Sequence, residues 1–318
     1  MKVIIRTDAS IQIGSGHVMR CLTIAKNLRN HGCKVFFWME HLEGNLIDFV
    51  AQEGFLNITS AQQADLYIID HYQIGEKWER SMYQYAKKIV VIDDLAREHV
   101  CDLLIDQNVV SHFNTRYDRK VPEHCVKLLG PKYLIMREEF IRERGQLRQR
   151  GDKVERILVF MGGSDPTNET MKILNALETS NFKHIDIVVG NNNLLKEQIE
   201  VICKKQKYHY HCQINYMANL MQLADFAIGA GGSTLWERCY IGLSSSSTIV
   251  ADNQRETTIY AGQLGVTINL GWHEQVTADT YRKLLDDIQV EGMGNKGLEL
   301  TSNKLSNAWL YEIMELIK

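Results

Sequence analysis

His17 is the residue of this sequence whose type and position best suit it to act as a base. It follows a glycine-containing loop, Ile13-Gly14-Ser15-Gly16, and opens a stretch to about Asn30 whose apolar residues recur near the helical period. Because the dipole at a helix N-terminus disfavours a charged imidazolium, we expect a neutral ring that can take a proton from water. Capping or packing the helix is the alternative role. Asp8, at the end of the first strand, is predicted to orient His17, to bind a sugar, or to form a turn.

Glycine-rich turns follow three of the predicted strands. After the loop before His17 come Met161-Gly162-Gly163-Ser164-Asp165 and Gly229-Ala230-Gly231-Gly232-Ser233-Thr234. Glycine lets the backbone approach a ligand closely, and the free N–H groups that begin the following helix favour an anion such as phosphate. In open parallel sheets, ligands bind beyond the carboxyl ends of the strands. Tight turns also use glycine for packing alone, so the prediction is that at least one of the three loops contacts a ligand.

None of these loops matches a common nucleotide fingerprint. The first loop contains GxG without a third glycine, so the dinucleotide-binding pattern is incomplete. Glu40, at the end of the second strand, could nevertheless mimic the acid that holds a ribose. No GxxxxGK[ST] segment occurs, which argues against a P-loop kinase or ATPase. A dinucleotide-dependent oxidoreductase is therefore a minor alternative.

Strand-like and helix-like runs alternate along the chain and then start again. Short apolar strands separated by helices predict parallel sheets buried on both faces, and a fresh strand–loop–helix unit begins at Arg156. The charged segment 142–155 is predicted to connect two domains, and an exposed helix end is the other interpretation. We expect an α/β protein with two Rossmann-like domains, residues 1–150 and 151–318. The final helix, about Ser302 to Ile317, is expected to pack on either of them.

The composition excludes several classes of protein. Lys and Arg number 36 and Asp and Glu 39, so the formal net charge of −3 argues against nucleic-acid binding. No apolar run reaches the roughly 18 residues of a membrane span, and the apolar start is too short for a signal peptide. The seven cysteines are irregularly spaced and include no CxxC, so we expect reduced thiols in a cytoplasmic protein.

The motifs and their order resemble a known family. Two Rossmann-like halves, a GxGH loop and GGSTLWE are similar to the MurG-type glycosyltransferases of the GT-B architecture. The resemblance to the PseG family is more specific and covers nearly the whole chain. It rests on RTDAS and IQIGSGHVMR at the start, IIDHY at Ile68 to Tyr72, VIDDL at Val91 to Leu95, MREEF at Met136 to Phe140, MGGSD and ADNQ. Members of that family are UDP-2,4-diacetamido-2,4,6-trideoxy-β-L-altropyranose hydrolases of pseudaminic acid biosynthesis, and the related SpsG spore-coat proteins share the pattern.

The resemblance implies a GT-B-like fold, with two domains facing a cleft, and a role for each candidate residue. His17 is implied to be the general base, and Glu237 to bind the ribose hydroxyls. The diphosphate is expected at the third glycine loop, and the uracil at residues 214–217, held largely by backbone groups. Adjacent amides at Asn253 and Gln254 are expected to bind the sugar. The predicted substrate-binding set is Asp8, Gly14, Ser15, Gly16, Tyr72, Gly163, Ile214, Met217, Gly232, Ser233, Thr234, Glu237, Asn253 and Gln254.

Structural roles compete with these functional ones. Glu237 is alternatively a solvated helix residue, and Asn253 a turn former. Asp70 and His71, just before Tyr72, are alternatively the residues that settle the turn there.

Two patterns look like metal ligands, and neither is predicted to bind a metal. His209 and His211 would share one face of a strand without a carboxylate or cysteine on that face. Asp93-Asp94 resembles a DxD motif only superficially, and GT-B enzymes generally stabilise the leaving diphosphate with a helix dipole instead. We expect no required metal and no cofactor.

One segment departs from the family pattern. Relatives tend to have a proline and an apolar strand after Ile241-Gly242-Leu243, whereas this chain has Ser244-Ser245-Ser246-Ser247. We expect that strand to be less well packed, with a local effect on stability rather than on the chemistry.

The sequence therefore predicts a metal-independent UDP-sugar hydrolase of pseudaminic acid or spore-coat polysaccharide biosynthesis. Its expected partners are the UDP-sugar substrate and the UDP product, with no nucleic acid, membrane or obligate protein partner. The nearest alternative is a MurG-like glycosyltransferase that uses the same donor. A nucleotide-sugar-binding protein without catalytic activity is the alternative from another class.

Overall fold

The computed structural model describes residues 1–151, 153–302 and 307–318. The chain forms two compact units, Met1–Met136 together with its C-terminal segment, and Arg137–Ser302. Each unit is built on one parallel sheet with helices between its strands, as the alternation of elements in the sequence predicted.

The first unit contains a sheet of seven parallel strands among the described residues, in the order β3-β2-β1-β4-β5-β6-β7. Its central strands are apolar at consecutive positions because helices or loops cover both faces of the sheet. The elements are β1 (Lys2–Thr7), α1 (Gly16–Asn30), β2 (Lys34–Trp38), α2 (Ile47–Gln52), β3 (Leu56–Ile58), β4 (Ala64–Asp70), α3 (Glu76–Met82), β5 (Ala86–Ile92), β6 (Leu103–Asp106) and β7 (Val126–Leu129).

The second unit repeats this plan with six parallel strands in its described part, in the order β10-β9-β8-β11-β12-β13. Short 3₁₀ turns at Pro131–Tyr133 in the first unit and Asp252–Gln254 in the second complete the secondary structure. The elements are α4 (Glu138–Arg144), β8 (Arg156–Phe160), α5 (Glu169–Leu177), β9 (His184–Val189), α6 (Lys196–Gln206), β10 (His209–Cys212), α7 (Met217–Leu223), β11 (Phe226–Ala230), α8 (Thr234–Tyr240), β12 (Ser245–Ile249), α9 (Arg255–Gln263), β13 (Ile268–Trp272), α10 (Ala278–Asp286) and α11 (Met293–Leu300).

The final helix, α12 (Ala308–Leu316), packs on the first unit. Trp309 and Ile313 are fully buried in the hydrophobic core that β1 and α1 share. Asn307 ties the start of the helix to this unit, because its side-chain oxygen accepts hydrogen bonds from Trp309 Nε1 at 3.0 Å and from the Met136 backbone N–H at 3.3 Å. The first part of the predicted helix, residues 303–306, lies outside the described residues.

The compact units divide after Met136, whereas the sequence suggested a boundary at residue 150. The charged segment 142–155 looks like a linker because it is rich in arginine. Three of its arginines, at positions 144, 148 and 150, donate to backbone carbonyls of the second unit. Arg144 bonds Leu298 O at 3.0 Å, and Arg150 bonds Met221 O at 2.9 Å and Ala224 O at 3.0 Å. Carbonyl acceptors thus help to dock a charged segment that has few apolar side chains.

The serine-rich strand β12 is fully buried, in contrast to the looser packing expected for it. Arg238, itself 1% exposed, lies against it and donates to Ser245 Oγ at 3.1 Å and Ser247 Oγ at 2.9 Å. It also donates to Ala230 O at 3.1 Å. Burial lowers the pKa of the guanidinium to about 10, so it remains charged near neutral pH. The serine hydroxyls therefore supply the acceptors that a buried cation requires, and an apolar strand could not.

We expect Ser247→Ala to lower the free energy of unfolding by about 1–3 kcal/mol, because an N–H of the buried guanidinium would lose its acceptor. The matched control is Ser246→Ala in the same strand. Ser246 Oγ is buried without a hydrogen-bond partner among the described residues, so its removal should be neutral or stabilising. Urea unfolding of both variants measures the difference, and equal losses would contradict the pairing of the serines with Arg238.

Candidate functional site

Two acidic residues stand side by side at the carboxyl edge of the first sheet. Strands β1 and β4 are parallel neighbours, with Thr7 paired to Asp70, so Asp8 follows one strand where Asp70 ends the other. Each acid holds a histidine that comes after the neighbouring strand. Asp70 binds His17, and Asp8 binds His71. This crossed arrangement is possible because the carboxyl ends of parallel strands meet at one edge.

The pair formed by His17 and Asp70 has the geometry of a base and its orienting acid. His17 Nδ1 lies 2.6 Å from Asp70 Oδ1, and the carboxylate is only 1% exposed. An ionised carboxylate can only accept, so Nδ1 carries the proton and Nε2 holds the lone pair. Within the described part of the chain, no hydrogen bond reaches Nε2 of this ring. His17 therefore presents an acceptor nitrogen with which it could take a proton.

Three donors from one turn of α1 converge on the Asp70 carboxylate. Besides His17, Arg20 contributes Nε to Oδ2 at 2.9 Å and Nη2 to Oδ1 at 2.7 Å. The Cys21 thiol lies 3.6 Å from Oδ2. Burial alone would raise the pKa of Asp70, but Arg20 and His17 outweigh it and hold that pKa well below its usual range. Asp70 is thus a fixed anion at the start of the helix.

Asp8 does not orient His17, contrary to one of the roles considered for it. Its Oδ1 accepts from the Glu40 backbone N–H at 2.8 Å and from Arg6 Nη1 at 2.8 Å, and its Oδ2 pairs with His71 Nε2 at 2.9 Å. Burial raises the pKa of Asp8, but His71 and Arg6 lower it by more, so that the pKa falls to about 2. The carboxylate links the ends of β1, β2 and β4, and its predicted contact with a sugar stays a prediction.

Ser10 closes the turn that leads into the loop before His17. Ser10 Oγ accepts from the backbone N–H groups of Gln12 and Ile13, and Ser10 O accepts from Gly14 N at 2.9 Å. Gly14 has a φ of +79°, which favours glycine at this position. The turn delivers Ser15 and Gly16 to the N-terminus of α1 and places His17 in its first turn.

Tyr72 lies beside His17, and its predicted contact with the sugar stays a prediction. Its ring meets the His17 ring edge-on, with centroids 4.5 Å apart and planes at 85°. Burial and the nearby Asp94 carboxylate raise the pKa of Tyr72 well above its usual range, so the phenol stays protonated. Tyr72 therefore adds a neutral hydroxyl next to His17.

Asp93, half of the DxD-like pair, is engaged in a buried network. It accepts from Arg97 Nε at 2.6 Å and from Tyr117 Oη at 2.9 Å. His99, also buried, pairs through Nδ1 with Glu79 at 2.6 Å, and its Nε2 lies 3.4 Å from Asp93 without hydrogen-bond geometry. Burial lowers the pKa of His99, but Asp93 and Glu79 outweigh it and raise that pKa to about 9. Across the described residues, no group of three His, Cys, Asp or Glu side chains is arranged to hold a metal.

The predicted residues of the second unit share the carboxyl edge of its sheet. Gly163 follows β8, the third glycine loop follows β11, and Asp252–Gln254 follow β12, which are three adjacent strands. The loops pack backbone against backbone or side chain, because a Cβ at Gly190 would overlap Gly163 and a Cβ at Gly231 would overlap Thr258. Glycine is therefore required here for packing, whatever else the loops bind.

Glu237 is not a solvated helix residue. It is 9% exposed, and its two carboxylate oxygens accept from Arg137 Nε at 2.9 Å and Nη2 at 3.1 Å. Arg137 also pairs with Glu139, whose other oxygen accepts from the Ala218 N–H at the start of α7 at 3.1 Å. This network joins α4, α7 and α8 within the second unit and holds the Glu237 side chain in place.

The remaining predicted residues lie at the same edge with different degrees of exposure. Ser233 is exposed at the N-cap of α8 without a capping hydrogen bond from its side chain. Thr234 Oγ1 lies 3.5 Å from Arg238 Nη1. Gln254 accepts from the Val250 N–H at 3.1 Å and turns its Nε2 towards Gly232. Of the other predicted residues, Ile214 is half-buried, Met217 begins α7, and Asn253 lies in the 3₁₀ turn after β12.

Sequence reasoning missed the three arginines and the acid that support these residues. Asp70 was considered only as a turn residue, and Arg20, Arg137 and Arg238 were not singled out. The sequence did contain a signal for Arg20. His17, Arg20 and Cys21 stand at positions i, i+3 and i+4 of a helix and so share one face.

His211 forms hydrogen bonds within the second unit. His211 Nε2 lies 3.0 Å from Asp186, which Arg156 also binds at 2.7 Å, and His211 Nδ1 lies 3.1 Å from the Tyr216 hydroxyl. All seven cysteines are free thiols, and six of them are buried. The described helices include none that is long and apolar enough to cross a membrane.

Two parallel-sheet units with loops gathered at their carboxyl edges define a GT-B-like protein, and solved structures confirm this predicted fold class. MurG from Acinetobacter baumannii aligns with a TM-score of 0.62 at 14% identity over 99% of both chains. The spinosyn rhamnosyltransferase SpnG, complexed with thymidine diphosphate, aligns at 0.61 and 12% identity over 94% of this chain and 95% of its own. HepE of Anabaena, in complex with UDP and glucose, aligns with a TM-score of 0.56 at 12% identity over 100% of this chain and 99% of its own.

Sequence relatives confirm the resemblance that the motifs indicated. The UDP-2,4-diacetamido-2,4,6-trideoxy-β-L-altropyranose hydrolase of Campylobacter jejuni is 28% identical over 84% of this chain and 98% of its own length. The spore coat polysaccharide biosynthesis protein SpsG of Bacillus subtilis is 27% identical over 88% of this chain and 86% of its own length. The uncharacterised protein MJ1062 of Methanocaldococcus jannaschii is 28% identical over 80% of this chain, which spans 57% of that protein. No protein-family model matches the chain.

The raised pKa of His99 predicts a pH-dependent loss of stability in the first unit. A group whose pKa is about 9 when folded and about 6.5 when unfolded stabilises fully below pH 6.5 and loses this contribution as the pH rises through 9. We expect the free energy of unfolding to fall by roughly 2–4 kcal/mol over this window, and His99→Gln to abolish that slope.

Urea unfolding at several pH values measures the slope. The matched control is His112→Gln, which changes an exposed histidine of the same unit and should leave the slope unaltered. A His99→Gln protein with the wild-type slope would show that another group titrates there.

Proposed function

We propose that the protein hydrolyses a UDP-linked 2,4-diacetamido-2,4,6-trideoxy sugar to free sugar and UDP. The observation that carries this proposal is the His17–Asp70 pair at the mouth of the first glycine loop, which leaves His17 Nε2 as an acceptor. The similarity of the chain to the Campylobacter jejuni hydrolase, over 84% of this sequence, supports the choice of reaction and substrate class. The similarity to SpsG supports a place in the biosynthesis of a surface or spore-coat polysaccharide.

In the proposed reaction, water is the nucleophile and His17 is the general base. Nε2 accepts a proton as the water oxygen attacks the anomeric carbon from the face opposite UDP. The bond between that carbon and the diphosphate oxygen breaks, its electron pair stays on UDP, and the anomeric centre inverts. The proton on His17 then passes to solvent. General-base assistance of this kind typically contributes about 10²- to 10⁴-fold to the rate, and no step requires a metal.

The second unit binds the UDP group in this proposal. The backbone N–H groups around Gly232 and Ser233, with the dipole of the following helix, stabilise the departing diphosphate. Glu237 accepts from the two ribose hydroxyls, because a carboxylate offers about four acceptor positions and Arg137 occupies only one on each oxygen. Gln254 and Asn253 bind the sugar, and residues 214–217 bind the uracil.

A glycosyltransferase that uses the same donor is the second candidate. The fold similarity to MurG and to a rhamnosyltransferase favours it, since both are GT-B-like proteins that the chain matches over at least 94% of its length. Such an enzyme would bind the UDP-sugar and await an acceptor. A sugar-nucleotide sensor would bind without turnover and would not need His17.

Release of UDP and free sugar is the direct test of the reaction. We expect ¹H NMR of the purified protein with UDP-2,4-diacetamido-2,4,6-trideoxy-β-L-altropyranose, without metal or acceptor, to show hydrolysis with inversion. His17→Asn should reduce the rate by at least about 10²-fold, because the variant lacks the base.

The matched control is His31→Asn, which removes an exposed histidine near the other end of the same helix and should retain the wild-type rate. Tight binding without release would favour the transferase or the sensor. Hydrolysis that persists in His17→Asn would exclude His17 as the base.

Hydrogen exchange tests where UDP binds. We expect UDP to slow amide exchange in residues 229–240, by up to about 100-fold at 100 times the dissociation constant for amides that exchange through local opening. Glu237→Gln should weaken this protection, because the amide replaces one acceptor with a donor. Unchanged exchange across α8 in the wild-type protein would contradict this placement of the nucleotide.

A further inference from the structure

We propose that Asp70 and Arg20 are positioning residues with opposite electrostatic effects on His17. Asp70 fixes the ring as the Nδ1–H tautomer and favours its uptake of a proton. Arg20 holds Asp70 in place and, as a cation beside the ring, opposes that uptake. The catalytic consequence rests on the proposed function, whereas the state of the ring itself can be measured without it.

The geometry leaves the Asp70 carboxylate no freedom to move. Oδ1 receives His17 Nδ1 at 2.6 Å and Arg20 Nη2 at 2.7 Å, and Oδ2 receives Arg20 Nε at 2.9 Å with the Cys21 thiol at 3.6 Å. All four acceptor positions are therefore in use. Since the carboxylate is 1% exposed, water does not compete for them.

The charges around His17 balance only because of Arg20. With a neutral ring, Asp70 and Arg20 cancel each other. A proton on His17 makes the cluster positive, and Arg20 Nη2 lies 3.4 Å from His17 Nδ1, where it repels an imidazolium. Without the arginine, protonation would instead create a neutral buried ion pair with Asp70, which is the favoured state of a desolvated acid and histidine.

His99 shows in the same unit how carboxylates act on a buried imidazole. It faces Glu79 and Asp93, and its pKa rises to about 9. Among the described residues, no arginine is hydrogen-bonded to Glu79, the carboxylate that pairs with Nδ1 of the ring. A ring in that state is protonated at neutral pH and cannot act as a base. At His99 an arginine, Arg97, binds only the second carboxylate, Asp93, whereas at His17 an arginine binds through two nitrogens to the one carboxylate that is hydrogen-bonded to the ring.

Of the other groups near His17, the thiol and the phenol carry no charge near neutral pH, whereas one carboxylate does. Burial raises the pKa of the Cys21 thiol and of the Tyr72 phenol, so both stay neutral. Asp94, after β5, adds a negative charge close to Arg20 and Tyr72. Arg20 thus cancels the charge of Asp70, and Asp94 weakens, without reversing, the repulsion between Arg20 and a protonated ring.

The two substitutions are therefore expected to act in opposite directions. Arg20→Gln removes the repulsion and should move the protonation midpoint of His17 upwards by about one pH unit. Asp70→Asn removes the favourable charge and should move it downwards by about the same amount, and the ring should no longer keep a single tautomer. A purely structural role for these residues would not reverse the sign of the shift between them.

The ring is observed directly by NMR of protein labelled with ¹⁵N at histidine, and His17→Asn assigns the signal. We expect the wild-type protein to show a protonated Nδ1 and an unprotonated Nε2 above the midpoint. Arg20→Lys, which keeps the charge, should have a midpoint close to that of the wild type. Arg29→Gln, at the other end of α1, is the control for loss of a positive charge and should leave the midpoint unchanged.

Kinetics on the proposed substrate provides the second readout. The acidic limb of the kcat/KM profile should follow the NMR midpoints, upwards in Arg20→Gln and downwards in Asp70→Asn. The kcat of Asp70→Asn should fall about 10²- to 10⁴-fold at neutral pH with little change in KM, because Asp70 acts through His17 and not on the substrate.

Each outcome decides between the proposals. A wild-type ring protonated on Nε2, or midpoints that move in the same direction or not at all, would overturn the inference. The expected NMR behaviour without any turnover would retain the positioning roles and refute the proposed function. If Asp70→Asn does not fold, the contrast between Arg20→Gln and Arg20→Lys decides the question, because only the first removes the charge.

Discussion

Asp70 ends a central strand with its carboxylate buried, and three side chains anchor one turn of helix α1 of the same unit to it. An ionised carboxylate without water must receive donors on all sides, and His17, Arg20 and Cys21 supply them at helical spacing. The angle at which α1 leaves the glycine loop, the tautomer of the histidine and the orientation of its free nitrogen all follow from this requirement. A shift of the helix by one residue would leave the acid without partners.

The second unit also contains a buried ion, here a cation, near its edge loops. Arg238 lies among neutral oxygens that the protein supplies. Arg137, which is partly exposed, is paired with Glu237 and Glu139. Both units thus use the same device, an ion whose partners come from the protein.

The elements that could be predicted from the sequence are those with continuous apolar runs. Strands such as β1 and β5 were predicted because they are buried on both faces, whereas β3 and β13, at sheet edges, are half-buried and carry Asn and Gly that hide the pattern. His17 and Glu237 were found from their place beside glycine loops. Their partners Asp70 and Arg137 are 53 and 100 residues away, and only the fold shows that they meet.

Misjudged features share one cause, which is that polar residues were taken as signs of exposure. The arginine-rich segment after Phe140 docks on carbonyl groups, and two serines of β12 accept from a buried guanidinium. A hydrophobic pattern cannot distinguish a solvated polar residue from one that another part of the chain solvates. That distinction requires the pairing partner, which local sequence does not contain.

Arg238 and the β12 serines also constrain the order in which this part of the protein can change. Substitution of Ser245 or Ser247 by valine would remove one acceptor of the buried guanidinium, and an apolar residue at position 238 would remove the donor to both hydroxyls. Each single step is harmful, although a strand and helix that are apolar together would pack well. The positions are therefore epistatic, and the polar and apolar versions of this core are separated by intermediates that selection for stability would remove.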